Sequence, residues 1–216
     1  KIMIKIIPAI LAKTPEEFEK MVRSVEPYVD RVHLDIMDGE FVPNKTITGY
    51  QELISLETKL KFDVHLMVAK PEEQMHLWYK TGADRFLIHS ETDHGHAELI
   101  EQIHLNDRKA GIVFNPETNI ETMAELMDVV DFVQFMTVHP GNYGGEFVES
   151  VVPKIADFHG RYPNIPIAVD GSIHLGNIQK VIAMGASIIV LGSHIFAENR
   201  DVGEVIEEMK AISHNY

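Results

Sequence analysis

Short apolar runs alternate with amphipathic stretches along the whole chain. The runs at 3–7, 31–37, 60–66, 85–89, 110–114, 132–138, 165–170 and 187–192 have strand length and are almost continuously hydrophobic, as expected of strands buried on both faces. Between them, apolar positions recur at helical spacing over 15–25, 49–57, 72–81, 97–106, 120–127, 148–162, 175–185 and 202–212. The first helix opens on Thr14-Pro15-Glu16-Glu17, a capping box with proline at the first helical position. Thr81-Gly82-Ala83-Asp84 and Met184-Gly185-Ala186-Ser187 each place a glycine stop ahead of a strand start, as stacked equivalent units would. Eight strand-helix units predict a parallel sheet covered by helices and closed into a (β/α)8 TIM barrel, with an open doubly wound sheet as the alternative. No linker or low-complexity segment interrupts 1–216, so one barrel domain is expected.

Composition narrows the partners. The 216 residues are 45% hydrophobic and 24% charged, enough apolar material for a sizeable core. A formal net charge of -14 argues against nucleic acid or an anionic membrane surface, and an anionic substrate would need backbone donors rather than basic side chains. With no cysteine, neither disulfides nor thiolate ligands are available. No apolar run reaches membrane-spanning length and the first residues lack the pattern of a secretory leader, so a cytoplasmic location is expected.

The chemistry concentrates at strand ends. In the stretch HLDIMDGEFVPN, alternation puts His33, Asp35 and Met37 on one face of a strand and Leu34 and Ile36 on the other. His65 and Met67 repeat the spacing in FDVHLMV, and Asp170 closes an apolar strand in IAVDGS. A hydrogen-bonded pair would explain a lone His-x-Asp. Two His and two Asp at comparable strand ends form a plausible four-ligand metal set. A barrel places its chemistry at the carboxyl ends of the strands, where Asp35, His65, His89, Asn115, Met136, Asp170 and Gly192 all fall. The last three strand ends are glycine-rich: Gly141-Asn142-Tyr143-Gly144-Gly145 after Pro140, then Gly171-Ser172 and Gly192-Ser193. Such loops bring backbone N–H groups to a phosphate without lysine.

Taken together, these residues suit a metal-assisted proton transfer on a sugar phosphate. Asp35 and Asp170 would face the substrate from opposite sides, one removing a proton and the other returning it, which inverts a stereocentre. Met37, Met67 and Met136 would line the reacting carbon with polarizable, water-excluding surface, although ordinary core filling also explains methionines.

The motifs HLDIMDGEFVPN, HLMVAKPEE, FNPET, MTVHPG, VDGS and LGSHIF, in this order and over essentially the full length, resemble the ribulose-phosphate 3-epimerase family. The resemblance implies a phosphate-binding barrel of the pentose phosphate pathway that interconverts D-ribulose 5-phosphate and D-xylulose 5-phosphate with a divalent metal cation (zinc, iron, manganese or cobalt). It puts His33, Asp35, His65 and Asp170 on the metal ligands and Asp35 and Asp170 on the acid/base pair. Substrate contacts would come from His65, Gly141, Asn142, Tyr143, Gly144, Gly171, Ser172, Gly192 and Ser193. Relatives form dimers or hexamers, so a homo-oligomer is expected. Three departures touch substrate contacts. Ala9 follows Pro8 where the family carries serine, the sixth loop reads PGNYGGE in place of PGFGGQ, and Ala168 stands where a glutamate precedes Val-Asp-Gly. The Val-Asp-Gly-Ser sequence makes D-allulose-6-phosphate 3-epimerase the alternative within enzymes. A hexulose-phosphate lyase or synthase lacks its Schiff-base lysine and its Asp-x-Lys-x-x-Asp pattern here, and a non-catalytic sugar-phosphate binding paralogue would have no reason to keep all four ligands.

Other histidines carry less. His89-Ser90-Glu91-Thr92-Asp93-His94-Gly95-His96 fits no tight metal template and reads as an exposed turn opening a helix. His139 and His194 lie beside the glycine loops as candidate anion contacts.

Overall fold

The computed structural model describes residues 4–141, 144–197 and 200–213. Eight parallel strands close in chain order into a barrel, with β8 hydrogen-bonded back to β1. They are β1 (Lys5–Ile10), β2 (Arg31–Met37), β3 (Lys61–Met67), β4 (Arg85–His89), β5 (Lys109–Phe114), β6 (Phe132–Met136), β7 (Ile167–Asp170) and β8 (Ile188–Leu191). Seven α-helices cover the described residues: α1 (Pro15–Val25), α2 (Tyr50–Ser55), α3 (Pro71–Trp78), α4 (His96–Leu105), α5 (Val151–Arg161), α6 (Ile178–Ala183) and α7 (Val202–Ser213). The connection after β5, Ile120–Leu126, is a 3-10 helix rather than the expected α-helix, broken at Met123 (φ -123°, ψ 18°). Its turns close through i to i+3 bonds, Thr122 N to Asn119 O (3.2 Å) and Met127 N to Ala124 O (3.3 Å), on either side of that break.

Strand alternation separates two cores. Outward residues such as Val32, Leu34 and Ile36 join Phe18, Val22 and Trp78 in the large layer between sheet and helices. Inward residues form small stacked clusters, with Leu87, Val113, Phe132 and Met136 in one and Ile7, Ala168 and Ile188 in another. The amino-terminal end of the barrel is ionic. Arg31 donates to Asp63 and, through two nitrogens at 2.8 Å each, to Asp84. The guanidinium of Arg85 lies 5.4 Å from the Phe132 ring centroid. Burial lifts the Asp63 carboxyl above the ordinary range despite Arg85 and Arg31. The charges are retained here because each has a partner.

Two local expectations shift. β1 runs three residues past the predicted end, because Pro8 stays in the strand. Lys5 to Pro8 pair with β8, while Ala9 and Ile10 pair with β2. The ladder therefore changes partner at the proline, where a missing N–H is tolerated. Of the two glycine stops, Gly185 follows the cap of α6 with φ +111°, whereas Gly82 lies beyond α3, which ends at Trp78, and has no left-handed backbone. The first cap also differs in detail: Thr14 Oγ1 accepts from Glu17 N (3.2 Å), but Glu17 reaches back to Lys13 N (2.8 Å) rather than to Thr14 N.

Candidate active site

Register builds the site. The β2–β3 pairing sets Asp35 beside His65 and Met37 beside Met67, the β1–β2 pairing sets Ala9 beside His33, and the β6–β7 pairing sets Met136 beside Asp170. Closure of the ring then brings the ends of β2, β3 and β7 to one point. His33, Asp35, His65 and Asp170, all buried, offer ligand atoms that lie within 4.8 Å of one another. His65 Nδ1 lies 2.9 Å from Asp35 Oδ1 and 3.6 Å from Asp170 Oδ2. His33 Nε2 lies 3.4 Å from Asp35 Oδ1 and 3.6 Å from Asp170 Oδ2.

The arrangement fits a cation on its own evidence. His33 Nε2 is fully buried without a hydrogen-bond partner, aimed at two carboxylates just beyond bonding distance. An orphaned buried nitrogen and two buried anions facing one point are each costly, and one positive ion of N/O preference satisfies all of them.

The two carboxyls occupy unequal environments. Burial raises the Asp170 carboxyl, the negative charge of Asp35 raises it further, and His33 opposes only in part, leaving it at about 7. Burial acts on Asp35 in the same direction, but the His33 and His65 rings that point at it outweigh burial and hold it well below the carboxylate range. Burial lowers His65 to about 4 against the pull of Asp35. Below about pH 7 the ion-free pair therefore holds one carboxylate and one neutral acid.

A cleft opens over Asp35 and Asp170. Met37, Met67 and Met136 line its apolar side, and Gly141, Gly144, Gly171, Ser172, Gly192 and Ser193 line its polar end. Asn142 and Tyr143, the other two expected contacts in this loop, lie outside the described residues. His65, expected to touch substrate as well as metal, does not line the cleft and is fully buried beneath it. Gly171 adopts φ +121°, and a Cβ there would sit 2.5 Å from Val138 Cγ2 and 2.9 Å from Val138 N. Glycine is thus required for the sixth and seventh loops to meet. Ser172 Oγ donates to Gly145 O across the same junction. His139 is exposed and pairs with Glu117 (3.1 Å), and His194 Nε2 is buried without a partner; neither lines the cleft.

Three features were not anticipated. The segment after β4 is exposed at Glu91, Asp93 and Gly95 and opens α4 as expected, but His89 and His96 are buried, and His96 Nε2 lies 3.0 Å from His89 O. His89 Nε2 meets His65 Nε2 at 2.9 Å, and His89 Nδ1 meets Glu91 Oε2 at 3.0 Å. Gln134, fully buried on β6, donates from Nε2 to Asp170 Oδ2 (3.2 Å) and pairs in register with Ala168. A polar group thus stands one strand away from the position where the glutamate of similar sequences is missing. The signal for it was a lone glutamine in the apolar run FVQFM.

Comparison with known proteins agrees with this geometry. The family model described as the ribulose-phosphate 3 epimerase family matches residues 5–196. The chain is 38% identical over 217 residues to the chloroplastic ribulose-5-phosphate-3-epimerase of Arabidopsis thaliana, covering 96% of this chain and 76% of that protein. It is 35% identical over 216 residues to the ribulose-phosphate 3-epimerase of Bacillus subtilis (strain 168), covering 96% and 99%. Among solved structures, a 3-hexulose-6-phosphate synthase superposes with a TM-score of 0.70 at 16% identity, covering 96% of this chain and 98% of that one, a likeness of fold alone.

Proposed function

Since the chain belongs to the ribulose-phosphate 3-epimerase family, we propose that it inverts carbon 3 of a ketose phosphate, interconverting D-ribulose 5-phosphate and D-xylulose 5-phosphate. The observation that carries this reading is the pairing of two buried carboxyls, whose surroundings push their proton affinities in opposite directions, in a cleft that glycine loops also line.

His33, Asp35, His65 and Asp170 would hold a divalent cation such as zinc. Bound there, the cation supplies positive charge that acidifies the proton on carbon 3 and offsets charge on the ketone and hydroxyl oxygens beside it. The rest is the work of the chain. Gly171, Gly192 and Gly144 bring backbone close enough to seat the phosphate, in an acidic protein with no lysine among the described residues that line the cleft. The seat fixes carbon 3 between Asp35 and Asp170. The ionised carboxylate takes the carbon 3 proton from one face, and the neutral acid delivers a proton to the other face, giving the epimer. For the reverse reaction the two exchange roles. Met37, Met67 and Met136 cover the planar intermediate with side chains that neither donate nor accept strongly, which keeps water from protonating it on the wrong face.

The test is solvent-deuterium incorporation at carbon 3, read by NMR, with zinc-loaded protein and D-ribulose 5-phosphate, and in parallel D-allulose 6-phosphate. Inversion with deuterium uptake on the pentulose is the expected result. Turnover of the hexulose in its place would reassign the sugar, for which Ser172 bridging the sixth and seventh loops is the residue to examine. No exchange on either substrate, with metal bound, would refute epimerisation.

A further inference from the structure

The end of β4 and the loop after it carry two polar side chains that the reaction above does not use, His89 and Glu91, and they line up in a row behind His65. His65 has two nitrogens with different surroundings: Nδ1 faces Asp35 and Asp170, while Nε2 faces away from the cleft, 2.9 Å from His89 Nε2. The two rings are 5.0 Å apart between centroids with planes within 19°, so they meet edge to edge. The other nitrogen of His89 lies 3.0 Å from Glu91 Oε2. Glu91 itself accepts from Asn115 N (2.9 Å), Ser90 Oγ (3.1 Å) and Thr118 Oγ1. The segment that grips it is tied down by Lys154 Nζ, which donates to Thr118 O (2.7 Å) and Pro116 O.

Hydrogen-bond bookkeeping leaves little freedom in this row. Burial would raise the Glu91 carboxyl, but its bonds from His89, Thr118 and Asn115 prevail and bring it to about 2. An acceptor-only carboxylate requires the proton of His89 on Nδ1. The other nitrogen of His89, Nε2, faces His65 Nε2 at 2.9 Å, so one of the two must donate to the other. A cation held at the site needs the lone pair of His65 on Nδ1, the edge turned to Asp35 and Asp170, and the row supplies this when the His65 proton sits on Nε2 and is donated to His89.

We infer that His89 and Glu91 are positioning residues for His65, a carboxylate-imidazole-imidazole row that selects its tautomer and aims Nδ1 at the metal position. The inference rests on the four-ligand reading of the site. It extends to two imidazoles the common arrangement in which a ligating histidine donates its second N–H to a carboxylate. His89 is well built for the role: it is fully buried, its carbonyl accepts from Thr92 Oγ1 (2.7 Å), and Phe41 packs against its ring at 4.7 Å.

Zinc affinity of the full chain, measured by chelator competition, tests this with Glu91→Gln, His89→Phe and His89→Gln. Imidazole nitrogen NMR of the zinc-loaded proteins reports the His65 tautomer. Glu91→Gln and His89→Phe should weaken zinc binding about 10- to 100-fold and lose the single-tautomer signature of His65. His89→Gln, whose amide can accept from His65 and donate to Glu91, should recover affinity to within a few-fold. Wild-type affinity and an unchanged His65 tautomer in folded Glu91→Gln and His89→Phe would overturn the inference while leaving the metal reading intact. Failure of the wild-type chain to bind zinc or any other divalent cation would overturn the metal reading and the inference with it.

Discussion

Replacing Asp170 by asparagine should stabilise the metal-free protein while abolishing its chemistry. The folded chain holds the Asp170 carboxyl at about 7, against an ordinary 3.8 for an exposed aspartate. Between those values the folded state keeps a proton that the unfolded state has released, so stability falls as pH rises through this window. Above it the full displacement is felt. Roughly three pH units at about 1.4 kcal/mol each give a ceiling of about 4 kcal/mol. Asparagine has the shape of the neutral acid, cannot ionise, and keeps an oxygen for the Gln134 donor. With chelator present, Asp170→Asn should therefore be more stable than wild type by up to about 4 kcal/mol at pH 8, with the gap closing steadily between pH 7 and pH 4. Asp35→Asn should do the opposite. Asp35 is held below its ordinary range by His33 and His65, so its carboxylate contributes stability above pH 4 that is lost as pH falls. Urea unfolding followed by circular dichroism at pH 5 and pH 8 reads both variants. Saturating zinc should restore the order in favour of wild type, because a cation bound only to the folded state adds stability by mass action. In both variants turnover should drop by about two to four orders of magnitude, the usual contribution of a positioned acid or base. An Asp170→Asn protein less stable than wild type at pH 8 in chelator would refute the reasoning, since it would mean that the two carboxyls do not oppose one another.

Two further substitutions probe the scaffold. Gly171→Ala must push the new methyl into Val138 from a left-handed backbone, at a cost of about 1 to 3 kcal/mol. It should raise KM at least tenfold with a smaller effect on kcat, and an unchanged KM in a folded protein would remove this loop from the phosphate seat. Arg31→Met removes the nearer of the two cations facing Asp63 and leaves it Arg85 at 3.5 Å, which should cost up to about 3 to 5 kcal/mol. The corresponding fall in Tm is about 10 °C for a chain of this size, with kcat of the folded enzyme retained, and the double change with Asp63→Leu should recover most of the loss.

The barrel was legible because its strands are buried on both faces, so each reads as an apolar run with a helical pattern behind it. What the pattern could not mark is where one strand changes partner. Pro8 looks like a strand end to a reader of single segments, yet β1 continues through it because the ladder to β8 stops where the ladder to β2 takes over. Gly82 looks like a helix stop, but α3 had already ended at Trp78 with the Tyr79 N–H on Met75 O and Leu77 O. A glycine licenses a left-handed residue without compelling one.

The candidate ligands were legible for a stronger reason: on β2, alternation alone sets His33, Asp35 and Met37 on one wall, and the packing of Leu34 and Ile36 outward leaves no other choice. The row behind His65 was missed because it depends on azimuth, that is, on which neighbour a side chain reaches around the ring. The signal existed. Leu87 faces the barrel interior, so His89, two residues on, faces it too, and the β3–β4 register puts His65 opposite Leu87, one step below His89. Two histidines on adjacent strands, both pointing inward and one pleat apart, cannot avoid each other. Read as a loop, HSETDHGH offered a surface turn. Read as the end of β4, its first residue is a buried imidazole already committed to the interior, and Glu91 is then the nearest carboxylate able to fix its proton.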